Sequence, residues 1–236
     1  MNQSPHRQRR RLIKTGEDSR RNLRNFNLAL LFSLMTMIFV LPIIPFDNQL
    51  LTRVILILIV ISGLFAAEFS LKLFRFLLGL GVIVIGITVI SIFQIHSLNL
   101  TITLFFLHTL FFIIVTVALV SHVAQAKKVE GSTVICAINS YLLIGVSVSL
   151  LIVILDLFVP NSFSNITAEQ DTFSAYIYFA FVTLTTLGYG DISPITPLAR
   201  SLSTFTALFG QLYLVIIMAL IVGKFLNTKG SDQKLK

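Results

Sequence analysis

Apolar residues gather into six long runs parted by short polar breaks, and no run keeps a polar face. The runs cover residues 26–41, 50–67, 76–93, 100–120, 133–159 and 198–225. Such uniformly apolar stretches predict helices immersed in lipid, because about 20 residues at ~1.5 Å each cross the ~30 Å hydrocarbon core. The shorter runs need their flanks or some adaptation of the bilayer. Pro42 and Pro45 close the first run, since proline removes a donor and disfavours helix in the residue before it, and Asp47, Asn48 and Gln49 make the turn beyond. Glu68 to Lys72 with Arg75, Gln94 to Ser97, and Ser121 to Lys128 form the other polar breaks. Gly79, Gly81 and Gly86 give the third run small-residue faces on which helix backbones approach. After the fifth run, Pro160 to Asn165 opens an exposed turret. Residues 172–182 then make an amphipathic segment too short to span, capped by Asp171 or Thr172. A short re-entrant helix followed by irregular backbone is expected there.

That backbone is Thr183-Leu184-Thr185-Thr186-Leu187-Gly188-Tyr189-Gly190-Asp191. Irregular backbone at membrane depth is tolerated only where protein buries it or a water-filled cavity borders it. Carbonyls aimed successively at one axis require the backbone to switch handedness at every second residue, and glycine alone takes positive φ cheaply. Gly188 and Gly190 stand at that spacing, and the Thr186 hydroxyl adds an oxygen below the carbonyls.

Thr186-Leu187-Gly188-Tyr189-Gly190, followed by Asp191, resembles the potassium-channel filter usually written Thr-Val-Gly-Tyr-Gly, with Leu187 in the place of valine. The resemblance covers about residues 133–223 as outer helix, pore helix, filter and inner helix, and the first half of the chain only in architecture. It implies an all-α membrane protein of six transmembrane helices plus a re-entrant pore helix and a selectivity-filter loop. K⁺ would be the permeant ion, held at Thr186, Leu187, Gly188 and Tyr189, with Gly190 completing the filter and no other cofactor. Thr185, Asp191, Tyr178 and Phe179 would support it, the aromatics with Tyr189 as a cuff. One strand cannot encircle an ion and no internal repeat supplies others, so a homotetramer follows. The end of the pore helix, near Thr183 to Thr185, would turn its partial negative charge toward the central cavity. Gly210 lies 20 residues after Gly190, where the resembling channels keep a bending glycine; close helix packing explains it equally well. From that register Leu214, Met218 and Val222 would form an apolar gate.

Composition agrees with a membrane protein: of 236 residues, 56% are hydrophobic and 12% charged, and mean hydropathy is +0.91. The net charge of +8 points to anionic phospholipid rather than nucleic acid, because basic residues cluster beside the apolar runs. With the basic tail of residues 1–24 inside, as an uncleaved anchor, sixteen of eighteen basic residues lie on the inner side. Both termini are then cytoplasmic and the membrane is the cell membrane. The organisation expected is a basic tail (1–24), a four-helix unit (25–121), a linker along the inner leaflet (122–132), a pore unit (133–226) and a short tail (227–236) with no room for a gating domain. Residues 100–120 carry no Arg or Lys, so intrinsic voltage dependence should be weak. Within them, His108 is either a hydrogen-bonded interhelical histidine or a proton sensor. Glu169, Asp171 and Asp191 are candidate acidic rings at the outer mouth, and solvated loop acids otherwise. Asp156 reads as interfacial or as a buried, partnered carboxylate, and Cys136 as a core filler. Four scattered histidines and the absence of a nucleophile–base pair argue against an enzyme. Two further classes compete, a transporter subunit built on four degenerate pore loops and a non-conducting regulatory subunit; the single intact filter stands against both.

Overall fold

A computed structural model describes residues 21–44, 49–66, 70–93, 98–126, 129–166 and 172–233. These form α1 (Arg21–Ile43), α2 (Gln49–Phe65), α3 (Leu71–Phe93), α4 (Leu98–Gln125), α5 (Gly131–Phe158), α6 (Thr172–Leu184) and α7 (Pro197–Gln233), with no strand among the described residues. Among them, five helices, α1, α3, α4, α5 and α7, are long and apolar enough to cross a membrane. The second of the six crossings expected from the apolar runs falls short of that length among the described residues. α2 has 17 residues, about 26 Å of helix against the ~30 Å core.

Helix ends move for identifiable reasons. α1 passes the expected stop before Pro42 by widening into a π turn over Thr36–Val40 and tightening into a 3-10 turn over Leu41–Ile43. Pro42 falls in the first turn of that last segment, where a missing donor costs little. α3 starts at Leu71 and so takes in Lys72 and Arg75, which were expected in the break. α5 starts on a capping box in which Glu130 and Thr133 satisfy each other's backbone donors. α7 continues eight residues past Phe225. Two cations cap helix C-termini: Arg53 Nη1 donates to Ser91 O near the end of α3, and Lys224 Nζ donates to Val123 O at 2.8 Å and Ala124 O at 2.6 Å in the last turn of α4.

α5 is the central helix, packed against α4, α6 and α7. Two thirds of its apolar window is buried, whereas α7 buries only 17% of its own, which leaves α7 facing outward from the chain. A polar knot ties α1 to α5. Asn27 Nδ2 donates to Leu23 O and to Ala66 O beyond α2, while Asn139 Nδ2 donates to Asn27 O at 2.9 Å and to Asn27 Oδ1 at 3.2 Å. Cys136 adds its thiol to the same Asn27 Oδ1 at 3.4 Å, so it is a weak donor as well as a filler.

Three expectations are corrected. Gly79 and Gly86 have open space where a Cβ would stand, so α3 makes no close helix approach there. His108 is fully buried, but its Nδ1 meets Leu104 O of its own helix at 2.8 Å rather than a neighbouring helix, and Nε2 has no partner among the described residues. The turret is not exposed throughout, since Ser162 and Phe163 are buried. The remaining residues of the basic tail, the turn at Asp47 and Asn48, the acids Glu169 and Asp171, and Lys127, Lys128, Lys234 and Lys236 lie outside the described residues.

Candidate functional site

α6 is gripped from both sides by glycines. On α5, a Cβ at Gly145 would stand 2.3 Å from Phe181 Cζ; on α7, a Cβ at Gly210 would stand 2.2 Å from the backbone oxygen of Leu184. Both glycines are there for proximity, and the close-packing reading of Gly210 has a specific neighbour. Asp156, in the last turn of α5, is a partnered carboxylate: it accepts from Ser162 N at 2.9 Å and from Tyr176 OH at 2.5 Å. That pair fixes the start of α6 to the end of α5.

The C-terminus of α6 is closed by two reversed bonds. Thr186 N donates to Thr183 O at 3.0 Å and Leu187 N to Val182 O at 3.0 Å, the pattern of a Schellman cap with Thr186 in the left-handed position. Glycine normally occupies that position, yet Thr186 takes it at φ 60°, at a cost of order 1–3 kcal/mol for a β-branched residue. Gly188 at 59° and Gly190 at 82° continue the pattern at two-residue spacing. A Cβ at either glycine would meet no atom of the described residues within 4 Å, so the backbone angle, and not crowding within them, demands glycine there. Beyond Val182 and Thr183 the cap consumes no more carbonyls. The carbonyls of residues 185–189 accept no hydrogen bond from the described residues. Gln211, next to Gly210, donates from Nε2 to Thr186 Oγ1 at 3.2 Å.

The returning segment is stapled down. Phe163 and Pro194 form an antiparallel bridge, with Ser164 N on Ser193 O and Ile195 N on Ser162 O, both at 2.8 Å. Asn165 Nδ2 donates to Asp191 O at 2.6 Å, and Tyr178 OH donates to Asp191 Oδ2 at 2.7 Å. That phenol holds the exposed Asp191 carboxyl below its ordinary range, and backbone N–H donors add to the effect.

Thr185, Thr186, Leu187, Gly188, Tyr189, Gly190 and Asp191 thus form one exposed ribbon, with Tyr178 attached through Asp191. Phe179 is not beside Tyr178's partner. It is buried and its ring lies 5.1 Å from that of Phe163, which itself meets Tyr176. Tyr189 is 67% exposed and meets no ring among the described residues, so no aromatic cuff closes within one chain. Leu214, Met218 and Val222 all lie exposed on α7. Sequence reasoning missed Gln211, Gly145 with Phe181, and Asn165. Gln211 alone had a signal, as a polar side chain inside an apolar span.

Residues 134–227 match a family of proteins described as ion channels. The chain is 40% identical over 58 residues to the inward rectifier potassium channel Kirbac3.1 of Paramagnetospirillum magnetotacticum, a stretch that is 25% of this chain and 20% of that protein. It is 38% identical over 55 residues to two-pore potassium channel 5 of Arabidopsis thaliana, 23% of this chain and 14% of that protein. The chain therefore matches a fifth or less of the length of these relatives. No solved structure matches it. The family match and the five apolar helices among the described residues together support an all-α protein of the membrane.

Proposed function

We propose that the chain is one subunit of a homotetrameric potassium-selective channel that passes K⁺ down its electrochemical gradient. The observation that carries this reading is the ribbon itself. Five consecutive carbonyls, residues 185–189, have no donor from the described residues, and positive φ recurs at Thr186, Gly188 and Gly190. In a membrane, unpaired carbonyls are costly unless water, protein or a cation meets them. Four such ribbons around an axis would give K⁺ its replacement hydration shell at Thr186, Leu187, Gly188 and Tyr189, closed by Gly190. The outward face of α7, with Leu214, Met218 and Val222, would line the path below. Gly210 would serve as its bend only by withdrawing from Leu184. Six crossings, with α2 as the short one, would leave both termini cytoplasmic in the cell membrane and the basic tail on anionic phospholipid. The fourth helix has no Arg or Lys over residues 100–120, so voltage dependence should be weak.

Flux from liposomes holding the purified protein tests this. Rapid K⁺ over Na⁺ permeation, block by external Ba²⁺, and loss of selectivity in Gly188→Ala are expected. Equal Na⁺ and K⁺ leak, or a steep conductance–voltage curve in symmetrical K⁺, would refute the respective claim.

A further inference from the structure

One side chain of α7 reaches the ribbon. Residues 198–225 hold a single carboxamide, Gln211. A polar side chain inside an apolar span is costly without a partner, so the partner it takes indicates its purpose. The nearby hydroxyls of α7 turn back onto their own helix: those of Ser203, Thr204 and Thr206 donate to Ala199 O, Arg200 O and Leu202 O at 2.8–2.9 Å. Gln211 instead leaves its helix and donates from Nε2 to Thr186 Oγ1 at 3.2 Å. Gly210 permits this reach, because the absence of a Cβ lets α7 come against Leu184 O, two residues before Thr186. The two threonines that open the ribbon are held differently. Thr185 Oγ1 donates to Phe181 O at 2.7 Å and so is returned to α6, whereas Thr186 Oγ1 accepts the Gln211 amide and donates to no described residue.

We propose that Gln211 is a positioning residue for cation selectivity, acting through the Thr186 hydroxyl; the inference rests on the channel reading above. A hydroxyl has one proton and two lone pairs. With one lone pair facing the Gln211 N–H, the hydroxyl proton is repelled from that side and the second lone pair is left for a cation. Thr186 is also held at φ 60° by the cap of α6. Backbone and side chain of this one residue are therefore both fixed before an ion arrives. Fixed oxygens discriminate by size. A smaller cation such as Na⁺ gains full coordination only if the oxygens close in on it, and a tethered hydroxyl resists that movement, whereas K⁺ asks for none. Four chains would set four such hydroxyls in one ring.

Reversal potentials with K⁺ on one side and Na⁺ on the other of a planar bilayer holding the full chain give the permeability ratio, which does not depend on how many channels fold or how often they open. Gln211→Met keeps the length of the side chain and removes its donor, and the K⁺ to Na⁺ ratio should fall about tenfold. Gln211→Asn keeps the amide but is one methylene too short to reach, and should fall likewise. Thr186→Ala should lower the ratio at least as far, and adding Gln211→Met to it should change nothing further, because the target is gone. In Thr186→Ser, which keeps the hydroxyl, Gln211→Met should still lower the ratio. A wild-type ratio near unity overturns the channel reading and this inference with it. A selective wild type whose ratio is unchanged in Gln211→Met and Gln211→Asn, an equal further fall on adding Gln211→Met to Thr186→Ala, or no fall on adding it to Thr186→Ser overturns the role of Gln211 and leaves the channel reading standing.

Discussion

Replacing Gly210 by alanine separates a bend from a contact. The new Cβ would stand 2.2 Å from Leu184 O and 2.9 Å from Leu184 Cδ1, whereas ordinary contact begins near 3.4 Å, so α7 and the end of α6 must part by about 1.2 Å. The obstacle is a backbone oxygen at the end of a capped helix, which has no rotamer to escape into. Overpacking costs about 1–3 kcal/mol, with this case at the upper end, and alanine returns about 1 kcal/mol of helix propensity. The net loss is about 2 kcal/mol per chain. It should appear as a lowered thermal midpoint of the purified protein, followed by size-exclusion fluorescence, together with disturbed K⁺ selectivity because Thr186 begins two residues beyond Leu184. Gly145→Ala supplies the contrast. The three atoms nearest its Cβ all belong to the Phe181 ring, at 2.3–2.8 Å, so Phe181→Leu should rescue it, whereas Leu184→Ala should leave Gly210→Ala unrescued. If Gly210→Ala kept the wild-type midpoint and selectivity and altered only open probability, Gly210 would be a bend and the contact argument would fail.

Other consequences follow from single contacts. The Tyr178 phenol holds Asp191 ionised below the ordinary carboxylate range; a depressed carboxyl contributes above its unfolded pKa and is lost as pH falls through its folded one. In Tyr178→Phe the acid loss of K⁺ flux should therefore begin at higher external pH than in the wild type, and an unchanged or lower midpoint contradicts the assignment. Lys224→Met removes the cap on Val123 O and Ala124 O, worth about 1.5 kcal/mol at a half-exposed site, so amide exchange in the last turn of α4 should speed about tenfold; equal exchange rates would show the cap to be idle. Asn27→Leu and Asn139→Leu should each destabilise the protein by about 1 kcal/mol, and the double variant by clearly less than the sum, because they share one network. Strict additivity in thermal denaturation would mean that they act separately.

The glycines of the ribbon were legible because positive φ restricts residue type, and that restriction survives without any knowledge of packing. Thr186 was not legible for the same reason inverted: a left-handed helix cap ordinarily calls for glycine, and nothing in a threonine announces that the bonds to Thr183 and Val182 will hold it there. Close helix approach was expected at Gly79, Gly81 and Gly86; a Cβ at Gly79 or Gly86 would meet no described atom within 4 Å and one at Gly81 would make ordinary contact with Phe111 and Val60, whereas at Gly210, where packing and bending stood even, it would strike backbone. Helices apolar on every side have no periodicity from which a face can be read, so composition identifies a span but not its neighbour. The same blindness hid the placement of Phe179 against Phe163 while Tyr178, one residue away, reached Asp191. Polar atoms escape it in part, since each buried donor must find an acceptor. Asn27, Asn139, Asp156 and Gln211 were the residues whose partners an exhaustive accounting of polar groups within the apolar runs would have sought first.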